Sequence, residues 1–164
     1  MSLIRSIPLT RGHFAVVDEE DYERLAQFKW NSNRHYARRH GRAPDGSRRY
    51  ILMHREILGL TSADKVDVDH INGSGFDNRK CNLRICSRTE HSHNNMKNDR
   101  TCSSHFKGVS WNKFAKKWCA KIKPSADSKR MHLGYFTDEL AAARAYDDAV
   151  RRYHGSFGRV NLPD

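Results

Sequence analysis

The last third of the chain combines three short strand-like segments with one amphipathic helix, and this pattern restricts the fold more than any other feature. The segments are Phe106–Trp111, Lys117–Lys123 and Arg130–Tyr135, with polar turns between them. In the second segment apolar and mostly basic side chains alternate, which places the two kinds on opposite faces of a strand. The pattern predicts a three-stranded sheet with one apolar face and one basic face.

The helix that follows is expected to begin at Thr137 and to end at Gly155. Threonine is a common N-cap, and Asp138 and Glu139 fall in the first turn, where the helix dipole favours acids. Glycine is typical of the position just past a helix end. One face carries small and apolar residues, namely Ala142, Ala145, Tyr146, Ala149, Val150 and Tyr153. Because alanine is small, this face can lie close against the sheet.

The charge of the chain indicates a polyanionic partner. Its 164 residues include 30 Lys and Arg against 19 Asp and Glu, a formal net charge of +11. A field of that sign attracts nucleic acid, although ribosomal or membrane-surface binding would fit the charge alone equally well. Aromatic residues make up 10% of the chain, which is enough to anchor two small cores.

Residues 105–163 resemble the AP2 DNA-binding domain. The matching runs are Phe106-Lys-Gly-Val, Lys117-Trp-Cys-Ala-Lys-Ile, Leu133-Gly-Tyr-Phe, Ala141-Ala-Ala-Arg-Ala-Tyr-Asp and Val160-Asn-Leu-Pro. The resemblance implies a three-stranded antiparallel sheet, packed on one helix, that enters the major groove of DNA. Plant members carry arginines near the positions of Ser110 and Asn112, so their target sequence does not transfer to this chain.

The DNA-binding residues are expected on the outer face of this sheet. The candidates are basic or polar: Lys107, Ser110, Asn112, Lys113, Lys117, Lys121, Lys123, Arg130 and His132. The lysines are expected to contact phosphates and to make binding depend on salt. Ser110, Asn112, Arg130 and His132 are the better candidates to read base edges. Trp111 has two open roles, stacking on a sugar or packing under the sheet.

A second constellation lies in the middle of the chain, in the order Asp69, His70, Asn82 and His91. A carboxylate is a hard oxygen ligand for Mg²⁺, and histidine titrates near neutral pH, as a general base requires. Asn82 can hydrogen-bond to the backbone across a Gly- and Asn-rich loop and so orient His70. The local pattern predicts a strand, a loop, a second strand and a helix capped by Ser87 or Thr89.

Residues 67–95 resemble the HNH nucleases of phage and intron-encoded homing endonucleases. The matching elements are Asp69-His70, Asp77-Asn78-Arg79, Asn82-Leu83-Arg84 and His91, preceded by Met53-His-Arg-Glu-Ile-Leu-Gly. The resemblance implies a ββα-metal fold with His70 as general base and Asn82 as the orienting residue. It implies Asp69 and His91 as ligands of Mg²⁺ or Mn²⁺. Close relatives often have Asn at the last position, so Asn94 and Asn95 are alternative ligands.

The expected organisation is an α+β chain of two domains. The first is an HNH nuclease region over residues 1–98, with its metal-site core at about 61–98. A polar linker over residues 99–104 leads to the AP2-like domain of residues 105–163. This division rests on the aperiodic composition of the linker.

The four cysteines at positions 81, 86, 102 and 119 form no Cys-x-x-Cys pair and are expected to be reduced thiols. A zinc site that uses Cys81 and Cys86 is the alternative. No segment has the character of a signal peptide or a membrane span. We therefore expect a cytoplasmic protein, in the host cytoplasm if a phage encodes it.

The two resemblances together predict a metal-dependent, sequence-directed DNA endonuclease of the homing type that hydrolyses phosphodiester bonds. Its partner would be double-stranded DNA, bound by a monomer or alternatively a dimer, with no membrane and no small-molecule substrate. The rival from another class is a DNA-binding regulator whose HNH site has decayed. A third hypothesis is RNA binding or structure-specific nicking.

Overall fold

A computed structural model of the protein describes residues 3–42, 46–95 and 102–163. The chain divides into two compact units, Met1–Cys86 and Ser87–Asp164. The described residues form antiparallel sheets and a few helices, so the predicted α+β class is confirmed. No helix in these ranges is long and apolar enough to span a membrane.

The first unit begins with a strand pair and a helix. Strand β1 (Ile4–Pro8) pairs antiparallel with β2 (Phe14–Asp18), and helix α1 (Glu19–Ala26) follows directly. This helix ends at Ala26, four residues before Trp30. The Trp30 indole Nε1 donates to the carbonyl oxygen of Leu25 at 2.9 Å, and this bond holds the buried ring against the end of the helix.

A second sheet contains β3 (Asn31–Ser32), β4 (Ala37–Arg42) and β5 (Arg48–Leu52), in that order. Helix α2 (Met53–Ile57) follows β5 directly. Met53 and Ile57 are both buried. Residues four apart share one face of a helix, so a single helical turn directs both side chains into the core.

The last sheet of the first unit is the pair of β6 (Asp67–His70) and β7 (Leu83–Cys86), joined by the predicted Gly- and Asn-rich loop. The core of the unit is formed by residues of β1, β2, α1, β4, α2, β6 and β7 and of the segments next to them. Its buried residues are Ile7, Leu9, Ala15, Val17, Leu25, Trp30, Ala37, Met53, Ile57, Val68 and Leu83.

The second unit starts at helix α3 (Arg88–Asn94). Ser87 caps it as predicted: the Ser87 hydroxyl accepts from the Glu90 amide at 3.2 Å, and the Glu90 carboxylate accepts from the Ser87 amide at 2.7 Å. The helix was expected to continue to about Asn98, but it ends at Asn94; residues 96–98 lie outside the described residues. The predicted linker of residues 99–104 is described only from Cys102 onward.

The AP2-like segment contains β8 (Val109–Asn112), β9 (Lys117–Ile122) and β10 (Met131–Phe136), with β9 in the centre of an antiparallel sheet. Helix α4 (Glu139–Tyr153) packs on this sheet. The strands and the covering helix follow the predicted order, and the architecture is compatible with an AP2-like fold.

The contact between α4 and the sheet is made by small side chains. Val109, Ala120, Ala142 and Ala143 are almost completely buried together. The predicted cap of α4 was wrong by one residue, because the Asp138 carboxylate, and not Thr137, accepts from the Ala141 amide at 2.8 Å. Aspartate is also an effective N-cap.

Candidate nucleic-acid interface

The outer face of the β8–β10 sheet is built by the strand register. Lys121 of β9 lies directly opposite His132 of β10, and Ser110 lies opposite Cys119. Side chains at paired positions project to the same face of a sheet, so these residues share the face turned away from α4. Lys121, His132 and Ser110 are exposed, whereas Cys119 is only 2% exposed. Cys119, expected to face DNA with the lysines, is covered on that face.

A β-bulge adds a residue to this face that alternation did not predict. The register shifts between His132 and Gly134, so Leu133 has no opposite residue on β9. An inserted residue reverses the facing of every later side chain. Tyr135 therefore lies beside His132, with ring centroids 4.6 Å apart, and is 48% exposed. In the sequence, this bulge is indicated only by Gly134, because a glycine inside a strand pattern often marks a bulge.

A basic cavity of about 940 Å³ adjoins the sheet within the second unit. Its charged lining residues are all cationic or titratable bases: Arg88, His93, Lys107, Lys121, Lys123, Arg130 and His154. Hydroxyl groups of Ser92, Ser103, Ser110 and Ser125 complete the polar lining. Cations and hydroxyls are the groups that contact phosphate in protein–DNA complexes. The cavity thus extends the basic surface from the sheet to α3, a part that the sequence analysis did not include.

Helix α3 is fixed to the sheet by Lys107. The Lys107 ammonium donates to the carbonyl oxygens of His93 at 2.6 Å and Asn95 at 2.8 Å. Burial is the main cause that lowers the pKa of Lys107, and the charge of Arg159 adds to it. Lys107 was expected to contact DNA, but its ammonium is engaged at the end of α3. The backbone amide and carbonyl of Lys107 are bonded to the Asn161 side chain.

The remaining predicted residues fall into two groups. Lys113, Lys117, Lys123 and Arg130 are exposed, as phosphate or base contacts require. Asn112 is partly committed to the turn after β8, since its Oδ1 accepts from the amides of Phe114 and Ala115. Its Nδ2 donates to the Tyr135 hydroxyl at 3.2 Å. Trp111 packs edge-on against Trp118 with centroids 5.1 Å apart and is 39% exposed.

The carboxylate of Asp69 is bound by an arginine. Asp69 on β6 lies directly opposite Arg84 on β7. Arg84 Nε and Nη2 donate to the same oxygen, Asp69 Oδ2, at 2.8 and 2.6 Å. Asp69 is 3% exposed, so the pair lies in the interior. A buried carboxylate is stabilised by such a pair, and its charge is offset by the guanidinium.

His70 lies in a group of three rings. Its centroid is 5.0 Å from that of His54 and 5.6 Å from that of Tyr36. His54 and His70 are each 5% exposed. Burial raises the pKa of the Tyr36 hydroxyl, and the nearby charges of Asp69 and Asp67 raise it further. The three rings form a closely packed polar cluster in the first unit.

Asn82 braces the loop between β6 and β7, as its proposed orienting role requires. Its Nδ2 donates to the Asp77 carbonyl at 2.7 Å, and its Oδ1 accepts from the Asn72 amide at 3.0 Å. Asp77 pairs with Arg79 at 2.6 Å, and hydrogen bonds from Arg79 lower the pKa of Asp77 despite partial burial. The loop is therefore held in one shape by side-chain bonds.

The residues of the expected metal centre are divided between the two units. His91, with Asn94 and Asn95, belongs to the second unit, whereas Asp69 and His70 belong to the first. Throughout the described residues, no three His, Cys, Asp or Glu side chains lie together in a way that could hold a metal ion. That search of the described residues includes Cys81 and Cys86, which form no disulfide. Metal binding by Asp69 and His91 stays a prediction.

Known proteins with similar sequences are plant DNA-binding proteins. The chain is 44% identical over 48 residues to dehydration-responsive element-binding protein 2A of Oryza sativa subsp. indica, a stretch of 29% of this chain and 18% of the relative. It is 39% identical over 59 residues to ethylene-responsive transcription factor ERF010 of Arabidopsis thaliana, 36% of this chain and 32% of the relative. Dehydration-responsive element-binding protein 2C of Arabidopsis thaliana is 36% identical over 59 residues, 36% of this chain and 17% of the relative.

The chain thus spans between about a sixth and a third of the length of the relatives it matches. No protein-family model matches the chain. No solved structure matches it either. The relatives support the AP2 DNA-binding part of the resemblance, and their names contain nothing about an HNH nuclease.

These relatives correct the predicted function. The main prediction, a metal-dependent homing-type endonuclease, was wrong, because the relatives are named as element-binding proteins and a transcription factor. They favour the alternative, a DNA-binding regulator. They also come from plants, which gives no support to a phage source. The comparisons carry no information on catalysis, so whether the chain is an enzyme stays untested. Over the matched 48 to 59 residues, the comparisons support the resemblance of this chain to AP2 DNA-binding proteins.

Proposed function

We propose that this protein is a sequence-directed DNA-binding regulator whose second unit holds double-stranded DNA on the outer face of β8–β10. The observation that carries the proposal is the polarity of that sheet. One face is sealed by α4 through Ala120, Ile122 and Val109, while the other presents Lys121, His132 and further polar groups. Because α4 covers only the apolar face, the basic face of the sheet is accessible to a polyanion.

The chemistry of the outer face separates affinity from specificity. Lys121, Lys123 and the basic cavity would bind phosphates, which fixes the register of the protein on the duplex. Arg130, His132 and Ser110 present donors and acceptors that can reach base edges in the major groove. One chain per duplex site is sufficient for this arrangement, and we expect the monomer to bind.

The experiment is a binding titration with a fluorescent duplex chosen by selection from random sequences. Lys121→Ala/Lys123→Ala should weaken binding to every duplex and flatten its salt dependence by about two units in log K against log salt, roughly 0.9 per phosphate contact. The matched control, Arg144→Ala/Arg152→Ala, removes the same charge from the exposed side of α4. Equal losses in both variants, or tighter binding to duplex RNA, would refute the proposal.

A further inference from the structure

The paired strands β4 and β5 carry a row of basic side chains on one face. His40 lies directly opposite Tyr50, and Arg42 lies directly opposite Arg48. Because side chains alternate along a strand, Arg38 shares this face. We call this set, Arg38, His40, Arg42, Arg48 and Tyr50, the arginine face. Strand β3 pairs only as far as Arg38, so beyond it the two strands form a two-stranded ribbon.

The opposite face of the ribbon is occupied by contacts within the first unit. Arg39 makes two bonds of 2.9 Å to the Glu56 carboxylate and lies 3.9 Å from the centre of the Phe28 ring. Arg49 donates to the Ser62 hydroxyl at 2.6 Å. A side chain at Gly41 would collide with Ile51. Hence the cations of this face serve the structure of the unit.

The cations of the arginine face, in contrast, form no ion pair within the part of the chain that the structure describes. Among the described residues no carboxylate forms an ion pair with Arg38, Arg42 or Arg48. Arg42 and Arg48 are like charges at directly paired positions, an arrangement that destabilises a sheet. Such a cost is typical of residues that are kept for binding and not for stability.

Aromatic contacts hold the cations of this face in place. The Arg38 guanidinium lies 3.8 Å from the centre of the Tyr50 ring, and the His40 ring is 4.7 Å from it. Tyr50 is 51% exposed, so the assembly stands at the surface. The ring therefore orders the Arg38 guanidinium at the surface, where it can meet a partner. Guanidinium groups match the geometry of phosphate oxygens.

We propose that the arginine face is a second DNA-binding surface, which contacts the phosphate backbone of duplex DNA through Arg38, Arg42 and Arg48. Four residues of strand separate Arg38 from Arg42, which corresponds to about 13 Å. That length equals roughly four base steps at 3.4 Å of rise per step. A two-stranded ribbon also has a width that the major groove admits. The surface lies in the first unit, outside the interface assigned to β8–β10.

The test uses the full chain and a duplex that contains the selected site with long flanks. Arg42→Gln/Arg48→Gln should reduce the salt slope by about two units, since each phosphate contact contributes roughly 0.9. The variant should unfold at the same or a higher temperature than the wild type, because it removes a like-charge pair. The control Lys29→Gln/Lys65→Gln removes two exposed charges of the first unit that lie outside the ribbon.

The outcomes separate this proposal from the function of the second unit. The proposal is supported if Arg42→Gln/Arg48→Gln loses slope and the control does not. It is overturned if both variants match the wild type or lose equally, or if the ribbon variant weakens only single-strand binding. If instead the proposed function of the second unit is wrong, Lys121→Ala/Lys123→Ala should bind DNA like the wild type. That result does not depend on how Arg42→Gln/Arg48→Gln behaves.

Discussion

The imidazole rings of His93 and His154 stack with their centroids 3.6 Å apart and their planes 8° from parallel. His93 lies on α3, and His154 follows the last residue of α4. His154 Nε2 lies 2.9 Å from the Lys123 carbonyl oxygen, so it carries the proton of that bond. The stack thus connects the helix at the start of the second unit to its sheet and to its final helix.

Acid should loosen this connection. Burial lowers the pKa of His93 below its ordinary value of 6.5, and the charges of His154 and Lys107 lower it further. Well above pH 6.5, His93 is neutral in both the folded and the unfolded chain. As the pH falls below about 6.5, the unfolded chain binds a proton at His93 before the folded chain does. The folded state therefore loses stability as the pH falls from about 6.5 through the folded pKa. We expect a lower melting temperature at pH 5.5 than at pH 7.5.

Thermal unfolding of His93→Gln at both pH values checks this expectation. The variant should show a smaller difference between the two melting temperatures than the wild type, because the group that titrates is gone. His35→Gln, an exposed histidine of the first unit, is the control and should keep the wild-type difference. An unchanged difference in His93→Gln would mean that other groups cause the acid sensitivity.

Lys107 and Lys121 should respond in opposite ways to loss of their charge. Lys107→Met removes two hydrogen bonds from a half-buried ammonium to the end of α3, and bonds of charged groups are each worth about 1.5–3 kcal/mol. Its main effect should be a lower free energy of unfolding. Lys121→Met removes an exposed charge from the outer face and should leave stability within about 0.5 kcal/mol.

Denaturant unfolding and a salt titration of DNA binding, made on both variants, separate the two roles. Lys121→Met should flatten the salt slope by about one unit. If Lys107→Met changes only the slope and Lys121→Met only the stability, the two assignments are reversed.

Local patterns predicted a large part of this structure. The alternation in Lys117–Ile122 predicted both the central strand and its buried side, because a pleated strand reverses its facing at every residue. The sequence offered Ser87 or Thr89 as the cap of α3, and the structure shows Ser87 in that role, in a capping box with Glu90. Such signals lie within a few residues of each other, so the sequence displays them directly.

Contacts between residues far apart in the sequence could not be predicted in the same way. Arg79 is nearer to Asp69 in the sequence than Arg84 is, but Arg79 binds Asp77, and Asp69 binds Arg84 across the strand pair. Which arginine lies opposite depends on the strand register, and one residue of shift changes it. The attachment of α3 through Lys107 likewise depends on residues far apart in the chain.

Gly108 should tolerate no side chain. Its φ is +77°, and a Cβ there would collide with the buried ring of Tyr146 and crowd the Lys121 carbonyl. Gly108→Ala should therefore destabilise the second unit by more than the roughly 1–2 kcal/mol of a left-handed backbone alone. Gly155→Ala is the matched case, because its φ is +55° and nothing lies within 4 Å of the added carbon. Chemical denaturation of both variants should rank Gly108→Ala as the less stable; equal losses would show that Tyr146 can move aside.

Arg130 and Tyr135 should determine which sequence the sheet prefers. Arg130 is exposed beside the basic cavity, and a guanidinium can grip a guanine edge through two bonds. Arg130→Ala should relax the preference at one or two base pairs and cost about 1–3 kcal/mol at the selected site.

Tyr135→Phe removes the hydroxyl that accepts from Asn112, so it should alter the preference through the orientation of Asn112. Lys113→Ala, which changes an exposed point charge, should weaken all sites equally. Selection of sites from random duplexes by each variant, followed by sequencing, compares the three directly. A preference in Arg130→Ala that matches the wild type, with only a uniform loss of affinity, would show that Arg130 contacts phosphate and that the bases are read by other residues.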